Sequence, residues 1–248
     1  MPLLVVIPFP MPQKARPPIS VVIPTLNEGK YLGECLRHVR AQNYPGEFEL
    51  VVADGKSRDA TVSIAKKFGA KVVYEPENTI ASGRQVGAEA AGGEIIVYTD
   101  ADARPPKDWL VNLLSPFSNP RVVCTYGSLS LYDYRKSALF FGSLMSTYLF
   151  WADVFGIAAG AGSNMAVRKS ALEKIGGFNT GLVTGEDVDV QARLKKVGRV
   201  VFIHRAKTAV SARRLRSWGF SKFVWFHATN MLSLFLTGKG HEKFEPVR

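Results

Sequence analysis

Asp100-Ala101-Asp102 brings two carboxylates one residue apart. They follow Ile95-Ile96-Val97-Tyr98-Thr99, an apolar β-branched run that reads as a strand buried on both faces. Gly92-Gly93 breaks the chain before this run, and Pro105-Pro106 stops it afterwards. A buried carboxylate is costly unless it is paired or metal-bound. Two of them delivered to the carboxyl end of one strand make a candidate site for a divalent cation. Asp-x-Asp supplies hard oxygen ligands and leaves positions for water and phosphate, which suits Mg²⁺ or Mn²⁺. The same triplet also occurs in ordinary solvated turns, so the surrounding elements must decide.

Those elements repeat one plan. Ile19–Ile23 reads as a buried strand, followed by the loop Pro24-Thr25-Leu26-Asn27-Glu28-Gly29 and helical spacing from Tyr31 to Ala41. Phe48–Ala53 reads as a second strand, ending at Asp54-Gly55. Ser57 or Asp59 can cap a helix running to about Phe68. Ala70–Tyr74 is a third strand, and Ala81–Ala91 a small-residue helix with Arg84 near its start. Strand–loop–helix units at this spacing predict an α/β fold with a mainly parallel central sheet flanked by helices. Ligands of such sheets lie beyond the carboxyl ends of the strands. Thr25, Asp54 and Asp100 each follow a strand there, and their convergence is more specific than any one motif.

The second half is less regular. Val122–Tyr126 reads as a strand and Ser137–Phe155 as a helix. Gly160-Ala161-Gly162-Ser163-Asn164 is a polar turn before the strand Met165–Arg168, and Gly176-Gly177-Phe178 is another turn. Gly185-Glu186-Asp187-Val188-Asp189 opens a helix over Val190–Val197. Acidic residues suit a helix N-terminus through the macrodipole, so capping alone accounts for these three carboxylates as readily as chemistry does.

Composition narrows the partners. The 248 residues are 46% apolar and 21% charged, as in a globular protein. The formal net charge of +11 predicts an anionic partner. The basic residues form no recognisable nucleic-acid module, which argues against nucleic acid. No G-x-G-x-x-G follows the first strand and no G-x-x-x-x-G-K-[ST] occurs, against a dinucleotide oxidoreductase or a P-loop ATPase. Cys35 and Cys124 have neither a zinc spacing nor a disulfide framework and read as buried thiols. Residues 1–17 form a Pro-rich arm without the basic region of a secretory signal. Ser137–Ala152 comes nearest to a membrane span, but its length and hydroxyls favour a buried helix.

Four motifs in order then resemble a known family. Pro24-Thr25-Leu26-Asn27-Glu28, Val52-Ala53-Asp54-Gly55-Lys56-Ser57-Arg58-Asp59-Ala60-Thr61, Thr99-Asp100-Ala101-Asp102 and Gly185-Glu186-Asp187 are similar to those of the family-two inverting glycosyltransferases of the GT-A fold. The likeness covers roughly residues 19–200. It implies a nucleotide-diphosphate sugar donor, with Thr25, Glu28 and Asp54 holding the nucleoside and Asp54 reaching the base. Arg84 is implied near the base and diphosphate, and Asp100 by the ribose and sugar, on the metal side. Asp102 is implied as ligand of the Mg²⁺ or Mn²⁺ that bridges the diphosphate. Asp187 matches the catalytic base with Glu186 beside it, and Gly162-Ser163-Asn164 borders the acceptor.

The chain departs from the family in places. Gly185 stands where many members have threonine, and Ser211 where a histidine is usual. Instead of the Q-x-x-R-W of processive synthases it has Arg213-Arg214-Leu215-Arg216-Ser217-Trp218, and no large membrane domain follows. Transfer of a single sugar is therefore expected. The expected organisation is an arm over 1–17, a catalytic domain over 18–210 and a basic, aromatic helical segment over 211–248. The domain divides into a nucleotide-binding half, about 18–104, and an acceptor half, about 105–210. In the last segment, Arg213, Arg214, Arg216 and Lys222 precede Phe223-Val224-Trp225-Phe226, the pattern of an interfacial helix. It predicts a cytoplasmic enzyme held at the inner face of the cell membrane by anionic lipid, beside an acceptor that can be lipid-linked. A helix packed on the domain or on a second subunit is the competing reading. Two other functions compete: a Mg-dependent nucleotidyltransferase, which wants a basic Gly-rich loop after the first strand, and a non-catalytic basic membrane-surface protein, which leaves Asp102 and Asp187 without a role.

Overall fold

The computed structural model describes residues 18–133, 147, 151, 152, 154, 155, 157, 159–238, 240 and 241. The expected arm over 1–17 and most of the expected helix Ser137–Phe155 lie outside the described residues.

Three βα units and a fourth strand come first: β1 (Ile19–Thr25), α1 (Gly29–Arg40), β2 (Phe48–Asp54), α2 (Thr61–Lys67), β3 (Lys71–Tyr74), α3 (Ile80–Ala90) and β4 (Ile95–Thr99). After them run α4 (Trp109–Leu114), β5 (Val122–Leu131), β6 (Asn164–Arg168), α5 (Lys169–Lys174), α6 (Glu186–Leu194) and β7 (Arg199–Val210). Two helices close the chain, α7 (Arg213–Trp218) and α8 (Phe220–Thr237). One seven-stranded sheet holds all the strands in the order β3-β2-β1-β4-β6-β5-β7. β6 is antiparallel to both of its neighbours, and every other pair is parallel.

The β-branched runs of β1, β2 and β4 face apolar layers on both sides, as their continuous hydrophobicity requires. Val21, Ile23, Val52 and Val97 pack with Leu32, Leu36, Trp109 and Leu113 on one face. Val22, Val51, Ile96 and Tyr98 pack with Ala88, Val190 and Leu194 on the other. Both cysteines are free and buried, as their apolar contexts predict.

Several elements differ from expectation. Thr79 caps α3 by accepting from the Ser82 N–H (3.0 Å), so this helix starts one residue early. Asp59, not Ser57, serves the start of α2, accepting from the Thr61 N–H (2.9 Å). Helix α6 begins at Glu186, four residues before the expected Val190, because the left-handed Gly185 (φ 78°) lets the chain turn directly into it. Strand β5 continues to Leu131. Strand β7 and helices α4 and α5 were not expected. β7 lies at the sheet edge with Arg199, Arg205 and Lys207 exposed, so its charges guard an open edge and mask its strand pattern.

Candidate active site

The first two loops are sewn to each other. Thr25 and Asp54 are paired in register at the ends of β1 and β2, and the Thr25 hydroxyl donates to Asp54 Oδ1 (2.9 Å). Asp54 also accepts from the Ser57 N–H (2.8 Å) and the Ser57 hydroxyl (2.6 Å), and it is fully buried. Asn27 N–H donates to Ser57 Oγ (2.7 Å), and Asn27 Oδ1 accepts from the Arg58 N–H (2.8 Å). Asp54, implied as a base contact, is thus first of all the knot between the loops. These loops enclose a cavity of about 390 Å³ lined by Leu26, Asn27, Gly55, Lys56, Arg58 and Asn78. Among the described residues the only non-glycine left-handed positions are Asn27, Lys56 and Asn78 (φ 54°, 62° and 56°), and all three line this cavity. Strain gathered at one concave site is a usual companion of binding.

Beyond β4 the site is organised by arginines. Arg84 of α3 is buried; its Nη2 donates to Asp100 Oδ1 (3.2 Å) and its Nη1 pairs with Glu186 Oε1. Burial works against the guanidinium charge, but Glu186, Asp100 and Asp187 outweigh it and push the Arg84 pKa up. Burial lifts Glu186 well above the ordinary carboxylate range against the pull of Arg84, and Asp187 adds to the rise. Gly162 packs on the same guanidinium: a Cβ there would lie 2.4 Å from Arg84 Cζ. Asp187 Oδ2 accepts from the Gly162 N–H (2.9 Å) and Oδ1 from the Val188 N–H (2.9 Å). The acidic pair and the Gly-rich turn therefore meet. Asp189 stands apart, paired with Arg193 one helical turn on (2.6 Å).

Asp102 and Glu28 share a partner that sequence reasoning put elsewhere. Arg213, read as part of an interfacial basic face, turns inward at the start of α7. Its Nη1 and Nη2 donate to both oxygens of Glu28 (2.8 Å each), and its Nε lies 3.1 Å from Asp102 Oδ2. Glu28, implied at the nucleoside, is joined instead to this arginine. Arg216 is likewise paired, with Asp133 (2.8 Å), and Ser211 donates to the same carboxylate (2.8 Å). Burial raises the Asp102 pKa to about 7; Arg213 opposes the rise, and Asp100 and Glu28 add to it. Burial and the neighbouring Arg213 lower Arg214 to about 10.

Asn164, the last residue of the predicted acceptor border, is a buried clamp. Its Oδ1 accepts from Trp109 Nε1 (2.8 Å), and its Nδ2 donates to the carbonyls of Ser128 (2.9 Å) and Ala206 (2.7 Å). It joins α4, β5, β6 and β7 in one network and holds the sheet together under the site.

The donor set fits a divalent cation. Three guanidinium groups (Arg84, Arg213 and Arg214) face five carboxylates (Glu28, Asp100, Asp102, Glu186 and Asp187); burial first, and neighbouring carboxylates after it, raise Asp102 and Glu186. Among the described residues no group of three His, Cys, Asp or Glu side chains could hold a metal alone. An ion on Asp102 and Asp100 would complete its shell from phosphate and water, which suits Mg²⁺ or Mn²⁺.

The family model described as "Glycosyl transferase family 2" matches residues 20–176. "Glycosyltransferase AglE" of Haloferax volcanii is 27% identical over a match covering 76% of this chain and 65% of its own length. "Dolichyl N-acetyl-alpha-D-glucosaminyl phosphate 3-beta-D-2,3-diacetamido-2,3-dideoxy-beta-D-glucuronosyltransferase" of Methanococcus voltae is 30% identical, with 73% of this chain and 62% of its own covered. The chain thus spans less than two thirds of the length of these relatives. Among solved structures, the mannosyltransferase PcManGT of Pyrobaculum calidifontis in complex with GDP-Man and Mn²⁺ aligns with a TM-score of 0.67 at 22% identity. That alignment covers 94% of this chain and 68% of the other. Residues 1–349 of S. aureus TarS in complex with UDP align with a TM-score of 0.62 at 22% identity, over 80% and 62% of the two chains. At these identities the likeness shows the fold, which is GT-A.

Proposed function

The chain belongs to glycosyl transferase family 2, and from that premise we propose that it transfers a single sugar, with inversion, from a nucleotide-diphosphate sugar to an acceptor hydroxyl. One observation carries this reading. Asp100, Gly162 and the neighbours Glu186 and Asp187, from three separate stretches of chain, are linked through or beside one buried guanidinium, Arg84 of a fourth. In this reading Asp187 is the acceptor-side carboxylate, and Asp100 and Asp102 are the donor-side aspartates.

The nucleoside belongs in the cavity between the first two loops, with Thr25 and Asp54 holding its wall in shape. Asp102 and Asp100 would hold the Mg²⁺ or Mn²⁺, which when bound acts as a Lewis acid on the leaving diphosphate. Displacement builds negative charge on the leaving group and an oxocarbenium-like centre on the sugar. Arg84 lies beside Asp100 to offset the first. Asp187 takes the proton of the attacking hydroxyl as the bond to the anomeric carbon forms. Glu186, engaged by Arg84, orients the helix start that presents Asp187. Attack opposite the leaving group inverts the anomeric carbon.

The acceptor in this reading can be lipid-linked, and the enzyme works at the inner face of an anionic membrane. Exposed Phe220, Val224, Trp225, Leu232 and Leu236 on α8, next to Lys222, support this. Among the described residues no helix is long and apolar enough to cross a membrane, and the contact proposed here is peripheral. The Methanococcus relative's name refers to a dolichyl phosphate substrate, in keeping with such an acceptor.

A thermal-shift screen of UDP-, GDP- and dTDP-sugars with and without Mn²⁺ tests the donor. A Tm rise with one nucleotide family, dependent on Mn²⁺, is expected; no response to any donor overturns the transferase reading. Flotation with anionic and neutral vesicles tests the location, with salt-sensitive binding to the anionic ones expected.

A further inference from the structure

The start of α7 is fixed to the end of β5. Asp133 accepts from the Ala212 N–H (2.6 Å) and the Ser211 hydroxyl (2.8 Å), and pairs with Arg216 (2.8 Å). From this anchor Arg213 reaches into the site and divides its donors between two carboxylates. The terminal nitrogens hold Glu28 as a two-pronged fork, and Nε holds Asp102. The Tyr31 ring lies 4.9 Å from its guanidinium carbon. The three side chains are only 16%, 12% and 11% exposed, so water screens these contacts little. A guanidinium with a purely structural task needs only the Glu28 fork. Here it also claims Asp102, the carboxylate assigned above to the divalent ion.

We propose that Arg213 is a resident counter-cation that competes with the divalent metal for Asp102 and, once displaced, turns its freed Nε–H toward the donor's diphosphate while keeping its fork on Glu28. The inference rests on Asp102 being the metal ligand. A divalent ion bound to Asp102 sits within a few ångströms of the arginine that already holds the same carboxylate, and two cations at that distance repel. The split of donors provides the escape. Releasing Nε needs a small rotation of the side chain, because the terminal nitrogens and the Asp133 anchor stay engaged. Arg214, lowered by burial and then by the charge of Arg213, is a second guanidinium in the same corner before any ion arrives. The diphosphate is the one incoming group that relieves the crowding. Metal and donor therefore bind with positive coupling, and α7 senses both.

Mn²⁺ alone is the probe, read from the electron paramagnetic resonance signal of the free ion in the full chain without donor. Arg213→Gln is expected to bind Mn²⁺ about tenfold more tightly than the wild type, the effect of removing one competing cation. Arg216→Gln, which touches only the Asp133 anchor, is the control and should match the wild type. With saturating Mn²⁺, Arg213→Gln should bind UDP or GDP several-fold more weakly. Amide exchange over Arg213–Trp218 should rise when Mn²⁺ binds the wild type and stay flat in Arg213→Gln. Equal or weaker Mn²⁺ binding by a folded Arg213→Gln overturns the proposal, since Arg213 then merely props Asp102. Should Arg213→Gln fail to fold, Arg213→Lys keeps the charge without the fork; Mn²⁺ binding intermediate in strength is expected, and wild-type or weaker binding overturns the idea. The metal competition is read without nucleotide, so its failure is distinct from a failure of the transferase reading, which appears as wild-type protein that ignores every nucleotide sugar.

Discussion

The two sides of the site are held by different forces. On the β1–β3 side, neighbouring loops are fastened by short-range bonds to backbone and hydroxyl groups: Thr25 to Asp54, Ser57 to Asp54 and Asn27, Glu28 N–H to Thr61. On the side beyond β4, arginines span long stretches of chain: Arg84 to Glu186, 102 residues away, and Arg213 to Glu28, 185 residues away. Hydrogen bonds between adjacent loops form as soon as the strands pair. Buried ion pairs must first desolvate both partners, and losing one partner leaves an uncompensated charge. The first side is thus a preformed cradle, and the second is held in a balance of charges that metal, donor and substitutions can tip.

The largest test of that contrast is Asp102→Ala. It should lower turnover about 10³-fold or more and abolish the Mn²⁺ dependence of donor binding. Its Tm should stay near the wild-type value, because Asp102 lies past the strand end. Undiminished wild-type turnover in excess chelator would remove the metal role altogether.

Glu186→Ala attacks the long-range tie itself. It leaves Arg84 buried with only Asp100, and should cost about 3 kcal/mol of stability. For a domain of this size that lowers Tm by roughly 6–12 °C in a thermal melt. Glu186→Gln keeps a hydrogen-bond acceptor and should lose less. An unchanged melting temperature in Glu186→Ala would mean that the two sides are joined by packing rather than by charge.

This contrast also explains what was legible in the sequence. The cradle side is local: each polar residue follows its own strand, so Thr25, Asp54 and Asp100 could be assigned to strand ends from periodicity alone. The family resemblance singled out both Asp187 and the Gly-rich turn, but their hydrogen bond is visible only in the structure. Arg213 was misread because an arginine run beside aromatics looks the same whether it faces solvent or a carboxylate 185 residues away. β7 was missed because the charges that protect its open edge break the alternation that marks a strand. Asn164 gave no signal either, since its three partners come from three distant elements.

Asp187→Asn sharpens the comparison at the chemical step. The amide keeps the shape and can still accept from one of the two N–H groups that now bind the carboxylate. It cannot take a proton. Single-turnover assays should show kcat lower by about 10²-fold with donor affinity nearly unchanged. Near-normal kcat would move the base to Glu186.

The smallest effect is expected in the cradle, at Lys56. Its φ of 62° is a conformation that costs an ordinary L-residue about 1–2 kcal/mol. Asn27 and Asn78 tolerate that region better, since short polar side chains bond their own backbone there. Lys56→Gly removes the steric cost but gives the unfolded chain more freedom, worth about 0.5–1 kcal/mol in the other direction. The net gain is then at most about 1.5 kcal/mol, a rise in Tm of roughly 3–6 °C at most. If the strain keeps the nucleotide cavity open, the same variant binds nucleoside diphosphate more weakly even though it melts later. Lys56→Ala separates the two causes, because it removes the ammonium but keeps the strain. A preformed cradle predicts weaker binding for glycine than for alanine. Equal binding by the two would assign the whole effect to the lost charge and leave the left-handed backbone without a role in recognition.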